Sequence, residues 1–169
     1  MLNPASSLAR LMDAPMRPGR IAWIGLRPAR RAEIQVVDAA EAAIGTGLVG
    51  DRYQSKTGAR QVTLIAAESL AAIAAYLGLP RVDPVDLRRN LVTEGINLSA
   101  LKGRRFRIGA AVLEASEECH PCSRMEETFG PGGYNAVRGL GGITARVIAG
   151  GQIALGDAIE RLDDAESDA

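Results

Sequence analysis

The sequence has little of what usually discloses a function. Its 169 residues include one His and two Cys, only 4% are aromatic, and 20 Lys+Arg against 20 Asp+Glu leave a net charge of zero. A neutral chain has no broad electropositive field for sequence-independent binding to nucleic acid, and no basic run exceeds two residues. Two cysteines are too few to frame a disulfide scaffold for a domain of this size. No apolar stretch reaches the length of about 18 residues that suggests a membrane-spanning helix. The opening MLNPASSLARLMDAPMRPGR contains no continuous apolar segment of the secretory kind. The expectation is therefore a cytoplasmic protein, bound to neither membrane nor nucleic acid, with free thiols.

What is present is a chain long enough for one domain, which would bury roughly 70% of its extended surface. Nineteen glycines break it into short segments. Strands are expected at Gly19–Leu26, Glu33–Asp38, Arg60–Ala66, Asn90–Glu94, Arg104–Ile108, Val112–Ser116, Ile143–Ile148 and Ile159–Leu162, each rich in β-branched or aliphatic residues. One helix is expected at Glu68–Leu77, where Leu70, Ile73, Ala74 and Leu77 share a face, ended by Gly78 and Pro80. A weak echo relates Phe106–Glu114 to Ile153–Arg161, each an apolar pair, a glycine (Gly109, Gly156) and then an alternating strand. Such glycine corners suit a small closed barrel. The reading is a mainly β fold, a strand-rich closed or nearly closed barrel over residues 18–162 with a few short helices, an arm at 1–17 and a frayed tail at 163–169.

The most reactive segment is Glu117-Glu118-Cys119-His120-Pro121-Cys122-Ser123-Arg124. Two thiols three positions apart follow a strand, and a short helix is expected to begin at Ser123. A helix N-terminus and the charge of Arg124 favour a thiolate at Cys122, whereas Glu117 and Glu118 oppose one at Cys119. The ordinary alternative is that both are small buried hydrophobes. A structural zinc site needs four ligands and finds only Cys119, His120 and Cys122 here. A thioredoxin-like site would place C-x-x-C after the first strand of a βαβ unit, not after several short strands. A single thiolate ligand to a soft metal, or a thiolate carrying persulfide sulfur, remains.

Three further segments are polar. Gly47-Leu-Val-Gly50-Asp51-Arg52-Tyr53, ahead of Arg60-Gln61-Val62, reads as a turn with a local ion pair rather than an anion loop. Arg88 and Arg89 precede Asn90 at a strand start, and strand alternation should turn them apart, leaving one free to bind phosphate or both solvated. Gly130–Gly142 reads as a mobile glycine-rich loop beyond Cys122.

In their order, G-L-V-G-D-R-Y, A-R-Q-V-T-L-I, L-R-R-N-L-V, E-C-H-P-C-S-R-M and G-G-I-T-A-R-V-I-A-G-G-Q-I-A-L-G-D resemble a MOSC domain, the family named for the C-terminal domain of molybdenum cofactor sulfurase. The resemblance runs from about Gly19 to Leu162 and is to the small stand-alone bacterial members. It implies a strand-rich barrel with short helices. It also implies that Cys122 is the essential thiol, a molybdenum ligand in the amidoxime-reducing members and a sulfur-handling group elsewhere. Arg88 and Asn90 would then lie near the pterin of a molybdenum cofactor (molybdopterin), with Glu68 and Ser69 at the same pocket, Arg60 assisting at the phosphate and Ser123 adjoining the thiol. Those reductases read Arg-Pro-Asn where this chain has Arg88-Arg89-Asn90. The family is further associated with pyridoxal phosphate binding.

Three activities follow as expectations. The first is reduction of N-oxygenated compounds at a molybdenum cofactor, with electrons from a redox partner. The second is sulfur transfer, Cys122 receiving persulfide from a cysteine desulfurase and Cys119 resolving it as a disulfide. The third is a binding module without turnover.

Overall fold

The structure, a computed structural model, describes residues 3–53 and 58–163. Eleven strands are present among them: β1 (Gly19–Leu26), β2 (Gln35–Val37), β3 (Ala39–Ala43), β4 (Gly47–Leu48), β5 (Val62–Ala66), β6 (Leu91–Glu94), β7 (Arg105–Ile108), β8 (Ala111–Glu118), β9 (Ile143–Ala149), β10 (Gly151–Ala154) and β11 (Ala158–Arg161). The main sheet runs β11-β7-β8-β9-β5-β6-β1 and closes when Gly19 and Arg20 of β1 pair with Ile159 and Ala158 of β11. The result is a closed seven-stranded barrel, with β2 added along β1. Alternation builds its interior: Ala111, Leu113 and Ala115 of β8 are buried, as are Phe106 and Ile108 of β7, and they meet Ile24, Leu64, Leu91, Val147 and Ile159. Closure gives each of the seven barrel strands a partner on both sides.

The pairing of β5 with β6 is the one parallel contact in the barrel. Parallel neighbours need a crossover, supplied by α2 (Ala67–Leu77) and α3 (Pro84–Leu87). The expected helix at Glu68–Leu77 is α2. It buries Leu70, Ile73 and Ala74 against Ile65 and Val92 on the outer barrel wall and ends at Gly78, which adopts the left-handed conformation with φ 66°. Gly109 and Gly156 also have positive φ, at the corners before β8 and β11.

Two readings of the secondary structure need correction. β3, β4 and β10, which form a separate three-stranded sheet, were not expected, because Ala39–Ala43 is AAEAA and carries no β-branched residue. Gly130–Gly142 is not a simple loop. After α4 (Arg124–Phe129) it forms α5 (Gly133–Val137), whose Ala136 and Val137 pack under α2. Glycine is required at 133 for packing, since a Cβ there would strike the Met125 carbonyl, and the Glu126 carboxylate accepts the N–H groups of Gly132 and Tyr134 at 3.1 and 2.9 Å. The arm contains α1 (Ser7–Met12), which buries no residue and is tied to the barrel by Arg104–Asp13 at 2.8 Å and by Arg161 donating to the Asp13 carbonyl at 2.8 Å. Of the expected tail, 164–169 lie outside the described residues.

One polar network crosses the barrel wall. Asp51, 4% exposed, accepts from Arg27 Nε at 3.0 Å and Nη2 at 2.8 Å, and from Asn90 Nδ2 at 3.0 Å. Asn90, fully buried, also donates to the Gly25 carbonyl and accepts from the Thr63 N–H and from Arg27. The expected local ion pair of Asp51 with Arg52 is therefore replaced by a pair with Arg27, 24 positions away, because Arg52 sends only its backbone N–H to the Arg27 carbonyl. Burial raises the Asp51 pKa, but the hydrogen bonds and charge of Arg27, with help from Asn90, outweigh it and leave the carboxyl below its ordinary 3.8. A depressed pKa adds stability above the unfolded value, and that contribution is lost as pH falls through the folded one. Urea unfolding should show a decline in stability between about pH 5 and pH 3 that Asp51→Asn flattens, and Asp51→Ala should cost about 3–5 kcal/mol at neutral pH by leaving Arg27 buried without its partner.

Candidate functional site

The ends of several strands converge at one mouth of the barrel. β5 and β6 are parallel, and β8 runs in the same sense because both it and β5 are antiparallel to β9. Their C-terminal ends therefore meet on one side. There a cavity of about 520 Å³ is bounded by Ala66, Glu68 and Ser69 at the start of α2, the Gly95–Ser99 segment after β6, Glu118–His120 after β8, and Gly139–Gly142 before β9.

Glycines at 141 and 142 let this wall form. A Cβ on Gly141 would collide with the Cys119 carbonyl, and one on Gly142, whose φ is 86°, with the Leu64 carbonyl. The Cys119 N–H donates to the Gly142 carbonyl at 2.8 Å, extending the β8–β9 ladder to the cavity. Cys119 is 8% exposed and lines the cavity, whereas Cys122 is exposed and lies outside its wall. Chain direction explains the split: β8 carries Cys119 into the ladder, then Pro121 and the start of α4 lead Cys122 outward. Ser123 is the N-cap of α4, exposed, with its side chain making no capping bond.

The arginines divide as strand alternation suggests, but by a different cause. Arg88 is in the left-handed conformation, φ 54°, at the end of α3, so the chain reverses there. Arg88 reaches away to donate from Nη1 to the Ala32 carbonyl at 2.7 Å. Arg89 turns toward the thiols: Nε donates to the Gly141 carbonyl at 2.9 Å and Nη1 to the Leu87 carbonyl at 2.7 Å, while Nη2 meets no acceptor and no carboxylate pairs with it among the described residues. Burial pushes the Arg89 pKa down; the neighbouring Cys119 and Cys122 side chains act against this, while Arg27 and Arg60 add repulsion. An arginine stays charged under such pressure, so a half-buried cation lies beside two thiols with no carboxylate partner among the described residues.

Of the residues singled out from the sequence, Cys119, Glu68 and Ser69 share the cavity. Glu68 Oε1 accepts the Gly95 N–H at 2.8 Å, bracing the β6 loop. Arg60 is exposed and enters only as a charge near Arg89. Asn90, expected near the cofactor, has its amide bonded inside the barrel wall, where it acts as a strut. Arg89, Arg27 and the Gly141–Gly142 pair were not singled out. The double glycine was a visible signal, but nothing local marks Arg27 as the partner of Asp51. Among the described residues, no group of three or more His, Cys, Asp or Glu could hold a metal ion, and no helix is long and apolar enough to cross a membrane.

A closed, mixed barrel with a thiol-bearing cavity at one mouth defines the class. The chain belongs to the MOSC domain family, whose profile matches residues 44–160. Its fold is similar to that of the YuaD protein from Bacillus subtilis, at 21% identity and TM-score 0.75, covering 86% of this chain and 96% of that one. YiiM from Geobacillus stearothermophilus is similar at 16% identity and TM-score 0.71, covering 86% and 76%. YiiM from Escherichia coli is similar at 22% and 0.65, covering 85% and 70%. No curated protein matches by sequence.

The geometry separates the two thiols by access. Titration of the native protein with dithiobis(nitrobenzoate) should show one fast thiol, abolished by Cys122→Ser, and one that reacts at least about tenfold more slowly, abolished by Cys119→Ser. Gly141→Ala should destabilise by about 1–3 kcal/mol in urea unfolding, because the added methyl must displace the Cys119 carbonyl, and should speed reaction of the slow thiol.

Proposed function

We propose that this protein binds a molybdenum–pterin cofactor at the barrel mouth, with the Cys122 thiolate as a ligand to the metal. The observation that supports this most directly is Arg89, a half-buried guanidinium without a carboxylate partner among the described residues, beside Cys119 and Cys122. A charge kept there without a partner fits a site completed by thiolate and by an anionic ligand. The donor set fits as well. The described residues offer thiols but no three-ligand cluster, so a metal held here must arrive with ligands of its own, as a pterin dithiolene brings them. Cys122 would supply the protein sulfur. Arg89, with Arg60 at the rim, would neutralise the cofactor's anionic groups, and Glu68 and Ser69 would line the facing wall.

When bound, the cofactor supplies two-electron redox chemistry, for which reduction of N-oxygenated compounds with electrons from a partner protein is the most concrete reaction. The chain's own part is to bind and orient the cofactor. A second reading has its own support: Cys122 is exposed, as a persulfide acceptor serving a cysteine desulfurase must be. In that case Cys122 receives sulfane sulfur and hands it on without metal.

Protein from a cofactor-competent host should carry about one molybdenum and one fluorescent oxidised pterin per chain. Cys122→Ala should lower molybdenum about tenfold or more, and Arg89→Leu should lower both metal and pterin about tenfold. Full molybdenum in Cys122→Ala removes the ligand role. A one-sulfur mass adduct on Cys122 after incubation with a cysteine desulfurase, in protein that takes up no molybdenum, selects the second reading.

A further inference from the structure

Two apolar surfaces are left uncovered among the described residues, and both lie at the mouth end of the barrel, where β1 begins because it is antiparallel to β6. The first belongs to the arm. α1 buries no residue, and its Leu8, Leu11 and Met12, 50%, 73% and 57% exposed, stand at the i, i+3, i+4 spacing of one face. The second belongs to α2. A surface helix ordinarily turns polar side chains to water, yet the outer side of α2 presents Ala71, Ala75 and Tyr76, and Glu68 is its one charged residue. Beside that side an open groove of about 620 Å³ runs between Ala67 and Ala71 of α2 and the strand start at Pro18 and Gly19.

Within one chain the two surfaces are held apart. The Asp13 carboxylate pairs with Arg104 ahead of β7, and Arg161 at the end of β11 donates to the Asp13 carbonyl, so the C-terminal end of α1 is pinned at the β7–β11 side of the rim. α2 lies against Ile65 and Val92 on the outer wall at β5 and β6, and β1 stands between β6 and β11. Pro15 and Pro18 stiffen the link between α1 and β1.

A second copy meets no such restriction. Pro18 ends the arm and lines the groove, so arm and groove are continuous parts of one surface, which a two-fold interface needs as a self-complementary patch. Charge agrees with this pairing: Arg10 on α1 and Glu68 at the groove are of opposite sign, and neither has an ion-pair partner among the described residues. Area agrees as well. The exposed parts of Leu8, Leu11 and Met12 come to about 300 Å² per arm, and reciprocal exchange, counting the surface covered, brings this to roughly 1,200 Å², the small end of stable interfaces.

We propose that two copies of this chain form a symmetric dimer in which α1 of each copy lays Leu8, Leu11 and Met12 against the outer side of α2 and the adjoining groove of the other. The dimer does not depend on what occupies the cavity lined by Cys119.

Sedimentation equilibrium of the full chain tests this. A dimer should form with a dissociation constant of about 1–10 μM. Leu11→Glu and Ala71→Glu, at exposed positions where the fold tolerates a charge, should each raise that constant about tenfold or more, because the new carboxylate is desolvated in the interface. Val36→Glu, exposed on β2 at the far end of β1, should leave it unchanged. In a Cys122→Ser background, Leu11→Cys protein mixed with Ala75→Cys protein should give a heterodimer joined by a short bis-maleimide.

A monomer at every concentration up to about 200 μM overturns the dimer. A dimer weakened by Leu11→Glu and not by Ala71→Glu overturns the groove as the receptor, and the converse overturns the arm as its occupant. Equal weakening by Val36→Glu, or a dimer that yields no crosslinked mixed pair, overturns the reciprocal docking.

Discussion

The buried ion pair between Arg27 and Asp51, braced by Asn90, is the constraint on which the rest of the structure depends. It joins the end of β1, the turn after β4, the start of β5 and the start of β6, four segments scattered over more than sixty positions of chain. Taking two charges out of water is expensive, and the pair is tolerable because both Asp51 oxygens, the Asn90 amide and Arg27 Nε and Nη2 are bonded. A network satisfied in one arrangement only tends to specify register. Here the bonds from Asn90 to Gly25 and to Thr63 set β6 against both of its neighbours.

The position of the reactive groups follows from that strut. Asn90 points into the wall, so the two residues before it must leave the wall, and the left-handed turn at Arg88 sends them in different directions. Arg89 reaches the Gly141 carbonyl on the side of the thiols, while Arg88 reaches the Ala32 carbonyl. Two neighbouring positive charges are thereby carried to different places in a chain whose net charge is zero. Composition conceals them, since local fields depend on where charges gather and not on their sum.

Much of the barrel was legible in advance, because β1, β5 and β9 carry runs of aliphatic and β-branched residues and α2 repeats its apolar face at helical spacing. The failures have a common cause. AAEAA becomes a strand because β10 supplies a partner, and Gly133–Val137 becomes a helix because α2 and Met125 leave a space that suits a glycine-led turn. In both, tertiary contact outweighs weak local preference. The site was legible in part: the cysteines and the start of α2 were visible as motif, whereas nothing local showed that the Asn90 amide would be bonded inside the barrel wall.

By itself the sequence determined the strand-rich class, the single clear helix, the glycine corners and the presence of two thiols spaced to behave differently, because periodicity, residue shape and chain spacing are local properties. Tertiary structure decided which thiol faces the cavity, which arginine faces the thiols, and which carboxylate is bound to which cation. Those are matters of distance between residues far apart in the chain, and barrel closure alone sets them.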